Sequence, residues 1–192
     1  MKTILLIDGE NFKGKISFIF KVNKIEKPKW HKYNFEKLFS TVLEGLKIEK
    51  TIFYFAKLKF HPKTKQKSLK LIEEQRLLKT HLERQGFEVI LSGRVRGQIE
   101  NHRFGKKILI FKEKGVDVKI AVDMVSLCCD KKVKQIILGS SDSDLQPAIQ
   151  EAKKRKVKCI YLGFESGYNK GLAYTTERTI LIRDSEVLKF AE

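Results

Sequence analysis

The sequence predicts an α/β fold: a three-layer α/β/α sandwich on a mostly parallel central sheet. The first observation is that short apolar segments alternate with longer amphipathic segments along the 192 residues, as strands and crossover helices do. The second is that the strand segments are continuously apolar, as in Ile4 to Ile7, which is typical of strands buried on both faces. No internal repeat or interdomain linker interrupts the pattern, so residues 1–192 are predicted to form a single domain.

The first half of the chain contains two predicted strands and two predicted helices. Residues 2–8 form a strand that Gly9 ends, and residues 51–56 form a second strand rich in β-branched and aromatic residues. Between them, residues 13–32 are basic with interleaved aromatics and show no clean helical period, which favours an irregular excursion. Asn34 is expected to cap a helix that continues to about residue 45. The next helix covers residues 65–85, with Leu69, Ile72, Leu78 and Leu82 on its inner side.

The second half continues the alternation. A third strand at residues 87–91 leads into a basic hairpin or loop excursion over residues 93–114, with glycines at its corners. The remaining main elements are predicted to be a helix at 115–129, a strand at 135–139, a helix at 145–155 and a strand at 158–162. The C-terminal segment is predicted to add a short helix, a short strand and a last helix.

The charge of the chain favours a polyanionic partner. It has 40 lysines and arginines against 23 aspartates and glutamates, a formal net charge of +17, which suggests nucleic acid or an acidic membrane surface. A membrane role is disfavoured because no apolar run approaches the roughly 20 residues of a span and no basic helix has an aromatic apolar face. The three cysteines include no CxxC pair, which favours free thiols and a cytoplasmic location. A homo-oligomer is compatible with these features.

Four acidic residues occupy or adjoin the ends of predicted strands: Asp8, Asp117, Asp142 and Asp144. Each could serve alone as a turn or helix-capping residue. Ligands of open parallel sheets, however, bind beyond the carboxyl ends of the strands, and two carboxylates about 4 Å apart repel each other by roughly 4 kcal/mol at an effective dielectric constant near 20. Their joint occurrence therefore predicts a bound cation, and carboxylate oxygens without cysteine or histidine suit Mg²⁺ or Mn²⁺.

Further polar residues lie near these acids in the predicted fold. The Asn11 amide could hold a phosphate or a water, and the hydroxyls of Ser140 and Ser141 lie near the same strand end; turn or capping roles are the alternatives. Asp123 falls at the edge of the apolar face of its helix, where it is either an outer-shell residue or a structural partner of Lys119.

Three sequence blocks resemble the signature blocks of NYN-domain proteins, the LabA-like branch of the PIN-like nucleases. They are IDGENF at residues 7–12, KGVDVKIAVDM at 114–124 and LGSSDSDLQPAIQEAKKRKVKCIYLG at 138–163, and the resemblance runs from about residue 3 to 165. It implies a PIN-like fold and Mg²⁺- or Mn²⁺-dependent phosphodiester hydrolysis, usually of RNA. Asp8, Asp117 and Asp142 correspond to the core acids, supported by Asp144 and Asn11. The third block has SSDSDL where the family usually has SGDSDF.

The leading hypothesis is therefore a metal-dependent ribonuclease, with nucleic acid as its partner and RNA rather than DNA as the expected kind. The lysines and arginines of the two basic excursions would neutralise phosphates, and Trp30 would stack on an unpaired base. The predicted nucleic-acid-binding residues are Lys13, Lys15, Lys21, Lys24, Trp30, Arg94, Arg96, Arg103, Lys106 and Lys107.

Two alternatives remain open at the level of sequence. One is a Toprim-type site, in which Glu10 would join Asp142 and Asp144 and leave Asp8 and Asp117 dispensable. The other is a nucleic-acid-binding adaptor that keeps the fold without turnover. Binding that persists without divalent metal, with no cleavage, would favour the adaptor.

Overall fold

Seven strands form one continuous sheet in the computed structural model, which describes residues 2–101 and 107–191, without the side chains of Lys63 and of residues 96–101 and 107–113. The strands are β1 (Lys2–Asp8), β2 (Lys50–Lys57), β3 (Glu88–Asn101), β4 (Lys107–Lys114), β5 (Val133–Gly139), β6 (Lys158–Phe164) and β7 (Arg178–Ile182). Their order across the sheet is β4-β3-β2-β1-β5-β6-β7. Neighbouring strands are parallel except β3 and β4, which are antiparallel. The predicted mostly parallel sheet is confirmed.

Helices cover both faces of this sheet. They are α1 (Gly9–Val22), α2 (Phe35–Val42), α3 (Lys65–Arg84), α4 (Val116–Cys129), α5 (Gln146–Lys154), α6 (Lys170–Thr175) and α7 (Asp184–Lys189). Leu5 and Ile7 of β1 belong to a core with α1, α2, α3 and α7. Ile4 and Leu6 belong to a second core with α4, α5 and α6. Because side chains alternate along a strand, β1 is buried on both faces, and the three-layer sandwich is confirmed.

Helix α1 corrects the prediction for residues 13–32. Residues 13–22 are helical, and the segment is irregular only from Asn23 to Asn34. The buried side chains Phe12, Ile16 and Ile19 are four and three residues apart, which is the spacing of one helix face. The lysines between them obscure this period in the sequence, because the half-buried Lys13 and Lys15 flank the buried face and Lys21 lies on the exposed side of the same helix.

The other predicted elements are confirmed, and the largest change is in the third strand, which is predicted to end at residue 91 but continues to Asn101 as one arm of the basic hairpin. Asn34 caps α2, because its Oδ1 accepts a hydrogen bond of 3.0 Å from the N–H of Lys37. In α3 the side chain of Leu69 is half exposed, contrary to the prediction, and Ser68 is buried in its place. The basic segment after the third strand is a hairpin in which Arg94 pairs with Lys114 and Asn101 pairs with Lys107. No helix in the described part of the chain is both long and apolar enough to cross a membrane.

Two glycines in α1 give a test of this helix. A Cβ atom on Gly9 would lie 2.1 Å from the ring of Phe55, whereas a Cβ atom on Gly14 would meet no atom within 4 Å. Because the Phe55 ring is buried, we expect Gly9→Ala to destabilise the protein by about 1–3 kcal/mol. Gly14→Ala should stabilise it by about 0.5–1 kcal/mol, as alanine does in a helix interior. Urea unfolding of both variants measures this difference, and no gain from Gly14→Ala would contradict a helix at this position.

Candidate functional site

The candidate site lies where the strand order reverses, at the carboxyl ends of β1 and β5. These two strands are parallel neighbours in the middle of the sheet. The chain passes from β1 to β2 on one side of this pair and from β5 to β6 on the other side. Such a reversal leaves a crevice in open α/β sheets. Here the crevice is a cleft of about 520 Å³, whose lining includes Asp8, Asn11, Asp117 and Asp142.

Three carboxylates from two parts of the chain meet in this region. One oxygen of each of Asp117, Asp142 and Asp144 lies within 4.8 Å of the others. Asp117 stands in the first turn of α4. Asp142 begins the short 3₁₀ turn Ser143–Leu145 after β5, where its Oδ1 accepts a hydrogen bond of 2.9 Å from the N–H of Asp144. The structure therefore brings together three of the four acids that the sequence places at strand ends.

Asp8, the fourth acid, lines the same cleft from a more buried position. Its Oδ1 accepts a hydrogen bond of 3.1 Å from the N–H of Asn11, and its Oδ2 accepts one of 3.4 Å from the hydroxyl of Ser140. Burial, together with a smaller contribution from the charge of Asp142, raises the pKa of Asp8 to about 6 against the opposing effect of the two hydrogen bonds. A carboxyl with this pKa can accept and release a proton near neutral pH.

A set of polar contacts fixes the loop that carries Asp142. The Oδ1 of Asn11 accepts hydrogen bonds of 3.0 Å from both the N–H and the hydroxyl of Ser141. The N–H of Asp142 donates to the hydroxyl of Ser140 at 3.2 Å. On the other side, the Nδ2 of Asn169 donates to the carbonyl of Ser141 at 3.0 Å. The Asn11 oxygen thus acts as a brace between the β1 and β5 ends.

Asn169 is a positioning residue that sequence reasoning missed. Its position before a short helix indicates only a cap, and its Oδ1 does accept a hydrogen bond of 3.0 Å from the N–H of Leu172. The contact with Ser141 joins residues 28 positions apart, and no local pattern in the sequence reports it.

The acids have the donor atoms and the charge that a hard divalent cation requires. Carboxylate oxygens are the ligands that Mg²⁺ and Mn²⁺ prefer. Among the residues that the structure describes, no lysine or arginine forms an ion pair with Asp8, Asp117, Asp142 or Asp144. In a chain with 40 basic residues, clustered acids without a basic partner are compensated most simply by a cation. The residues present fit such an ion.

Asp123 and Glu10, in contrast, have basic partners. The Nζ of Lys119 lies 2.6 Å from Oδ1 of Asp123, and the hydroxyl of Tyr54 donates to its Oδ2 at 3.0 Å. These contacts correspond to the structural role that the sequence left open for Asp123. The carboxylate of Glu10 lies 2.8 Å from the Nζ of Lys13, although Glu10 also lines the cleft.

The predicted nucleic-acid-binding residues occupy several environments. Lys13 and Lys15 are half-buried, and Lys15 donates to the carbonyl of Gly167 at 2.9 Å. Lys21 and Lys24 are exposed, whereas Trp30 is half-buried against the core. Arg94 lies at the base of the hairpin, where β3 leaves its last pairing with β2. Arg103 and Lys106 lie outside the described residues, as do the side chains of Arg96 and Lys107.

Comparison with known proteins identifies the family. A family model of the NYN domain matches residues 2–182, nearly the whole chain. The chain belongs to the NYN domain family. The predicted resemblance to NYN-domain proteins is thus confirmed at the level of the family, and an NYN domain implies the PIN-like nuclease superfamily.

Two individual proteins are similar to this NYN domain. The crystal structure of a protein of unknown function from Vibrio parahaemolyticus has a TM-score of 0.61 and 19% sequence identity, over 94% of this chain and 93% of that chain. At this identity the likeness supports the fold alone. An uncharacterized protein of Methanocaldococcus jannaschii is 36% identical over 67 residues, which are 35% of this chain. The match spans 28% of that relative's length.

Proposed function

We propose that this protein is a divalent-metal-dependent ribonuclease that hydrolyses phosphodiester bonds of RNA, with the whole chain acting as one NYN domain. The observation that carries the proposal is the meeting of Asp117, Asp142 and Asp144 within 4.8 Å. These acids lie beside Asp8 at the point where the strand order reverses, without a basic partner among the described residues. Membership of the NYN family supports a nuclease reaction, and the acidic cluster supports a metal-binding site for that reaction.

The acids of the site have distinct roles in this proposal. Asp117, Asp142 and Asp144 would hold Mg²⁺ or Mn²⁺, with Asp8 as a further ligand or a proton acceptor at the floor of the cleft. When bound, such an ion supplies a water of lowered pKa and offsets negative charge on the reacting phosphate. Asn11 and Ser140 fix the positions of Asp8 and Asp142 relative to each other through the hydrogen bonds described above. The acids are therefore positioned before substrate binds.

Basic residues around the cleft supply the attraction for the RNA backbone. Lys114 lines the cleft itself, and the basic hairpin begins at the same edge of the sheet, because Lys57 at the end of β2 pairs with Arg94. Each phosphate neutralised on a single strand should lower the affinity by roughly 0.7 log units per log unit of salt. RNA binding by this surface is therefore expected to weaken steeply as ionic strength rises.

The proposal is tested with end-labelled single-stranded RNA, hairpin RNA and DNA of the same sequence, each with Mg²⁺, Mn²⁺ or EDTA. We expect cleavage of RNA with metal, no cleavage in EDTA, and a loss of about 100-fold or more in Asp142→Asn, since even outer partners of metal ligands contribute 10- to 100-fold. Metal-independent cleavage, or equal cleavage by Asp142→Asn, would contradict the proposal. RNA binding in EDTA without cleavage at any metal concentration would instead favour the adaptor.

A further inference from the structure

A second cavity opens next to the acidic cleft and is not used by the proposed reaction. It has a volume of about 500 Å³ and lies between the start of α1, the end of β2 and the first half of α3. Glu10 lines both this cavity and the acidic cleft, so the two are adjacent. Cavities that bind small organic groups begin at about 300 Å³, so this one has room for a planar ring with its sugar.

The walls of the cavity are aromatic and aliphatic. Trp30, Phe55 and Phe60 supply three aromatic side chains, and Leu71 and Leu78 of α3 supply aliphatic surface. The ring of Phe55 is buried, whereas Phe60 is 48% exposed at the rim. Exposed aromatic side chains beside an apolar floor are the surface on which single-strand-binding proteins stack unpaired bases.

The lining of the cavity has a net positive charge, with four lysines (Lys13, Lys27, Lys59 and Lys67) against two glutamates (Glu10 and Glu74). Lys27 and Lys59 are exposed and form no ion pair with any residue that the structure describes. The Nζ of Lys13 lies 5.5 Å from the centre of the Trp30 ring and 5.7 Å from that of Phe55. A cavity with apolar walls and a net positive charge is complementary to a group that joins a planar base to phosphates.

We propose that this cavity binds one unpaired nucleobase of a single-stranded nucleic acid, next to the phosphate that lies in the acidic cleft. The inference rests on the proposed nuclease function and deepens it, because it gives the enzyme a preference for unpaired over duplex substrate. A base that is paired and stacked within a helix cannot enter the cavity, since both of its faces are covered. Because Glu10 lines both cavities, the bound nucleotide would have its base beside α3 and its phosphate on the side of the acids.

The test uses Trp30, the only tryptophan of the chain, as a fluorescent reporter in the wall of the cavity. Wild-type protein in EDTA is titrated with decauridylate and with an abasic decamer of the same ribose-phosphate backbone. Binding is also followed by the anisotropy of a label on each oligonucleotide. We expect decauridylate to quench Trp30 and to bind about 5- to 150-fold more tightly than the abasic decamer, the range of one stacked base.

Two phenylalanine variants separate the cavity from general surface effects. Phe60→Ala should lower the affinity for decauridylate by about 5- to 150-fold and leave the affinity for the abasic decamer unchanged. Phe18→Ala is the matched control, because Phe18 is similarly exposed, at 53%, but lies outside the cavity; it should change neither affinity. Both changes are at exposed side chains, so the folded state is expected to persist.

Equal affinity for the two decamers, or an unchanged affinity in Phe60→Ala, would overturn the base-binding cavity. A shift of the Trp30 emission maximum with protein concentration in the absence of RNA would also overturn it, because such a shift would indicate that a second copy of the chain fills the cavity. Because these measurements are made without cleavage, their outcome is separate from that of the cleavage test. Base-dependent binding without turnover would support the cavity while contradicting the enzyme, and turnover with equal decamer affinities would do the reverse.

Discussion

Asp117→Asn should lower the rate of RNA cleavage by about 100-fold or more, whereas Glu10→Gln should lower it by less than about 10-fold. The reason is the position of each carboxylate. Asp117 contributes an oxygen to the three-acid cluster and has no basic partner among the described residues. The carboxylate of Glu10 is paired with Lys13 at 2.8 Å, so its charge is already compensated. Loss of a direct metal ligand should exceed the 10- to 100-fold effect of an outer partner.

This pair of variants distinguishes the PIN-like site from the Toprim-type alternative. A Toprim-type site would require Glu10 with Asp142 and Asp144, so Glu10→Gln would then be the inactive variant and Asp117→Asn the active one. Cleavage rates are measured under single-turnover conditions with excess protein. Asp130→Asn is the matched control, because Asp130 follows the other end of α4, where it is exposed and paired with Lys132 at 2.7 Å; it should keep the wild-type rate.

The sheet and the acidic residues were accessible from sequence because both depend on local pattern. A run such as Ile4 to Ile7 is continuously apolar only if both faces of the strand are covered, and that burial is observed. Asp8 ends one such run, and Asp142 follows the end of β5 at Gly139 after only Ser140 and Ser141. Parallel strands present their carboxyl ends at one edge, so the proximity of these acids follows from topology without knowledge of side-chain contacts.

Two features could not be predicted from the sequence, the helix α1 and the cavity lined by Trp30 and Phe60. In α1 charged residues mask the helical period, and the cavity depends on contacts between distant parts of the chain. In α1 lysines interrupt the helical period of Phe12, Ile16 and Ile19, so the sequence predicts an irregular segment where the structure has a basic helix. The cavity lined by Trp30 and Phe60 joins an irregular loop to the end of β2 and to α3. The spacing of residues within one segment cannot predict that these three separate segments line the same cavity.

Asp8→Asn should abolish cleavage while making the metal-free protein more stable at neutral pH. In the folded protein the pKa of Asp8 is raised to about 6, chiefly by burial, from an ordinary value near 4. The ionised form is therefore disfavoured by folding. With about 1.4 kcal/mol for each pKa unit, the charge lowers the free energy of unfolding by about 2–3 kcal/mol above pH 6. Asparagine removes this charge and still offers an oxygen to the N–H of Asn11.

The pH dependence gives this prediction its internal control. Below about pH 4 the Asp8 carboxyl is protonated in both the folded and the unfolded state, so wild type and Asp8→Asn should have equal stability. The advantage of Asp8→Asn should appear between about pH 4 and 6 and stay constant above pH 6, because only there is the folded-state carboxyl ionised. Urea unfolding in EDTA at pH 3.5, 5 and 7 measures these differences. An Asp8→Asn protein that is inactive and also less stable at pH 7 would show that the carboxylate supports the fold, and would remove the evidence that its burial serves the reaction.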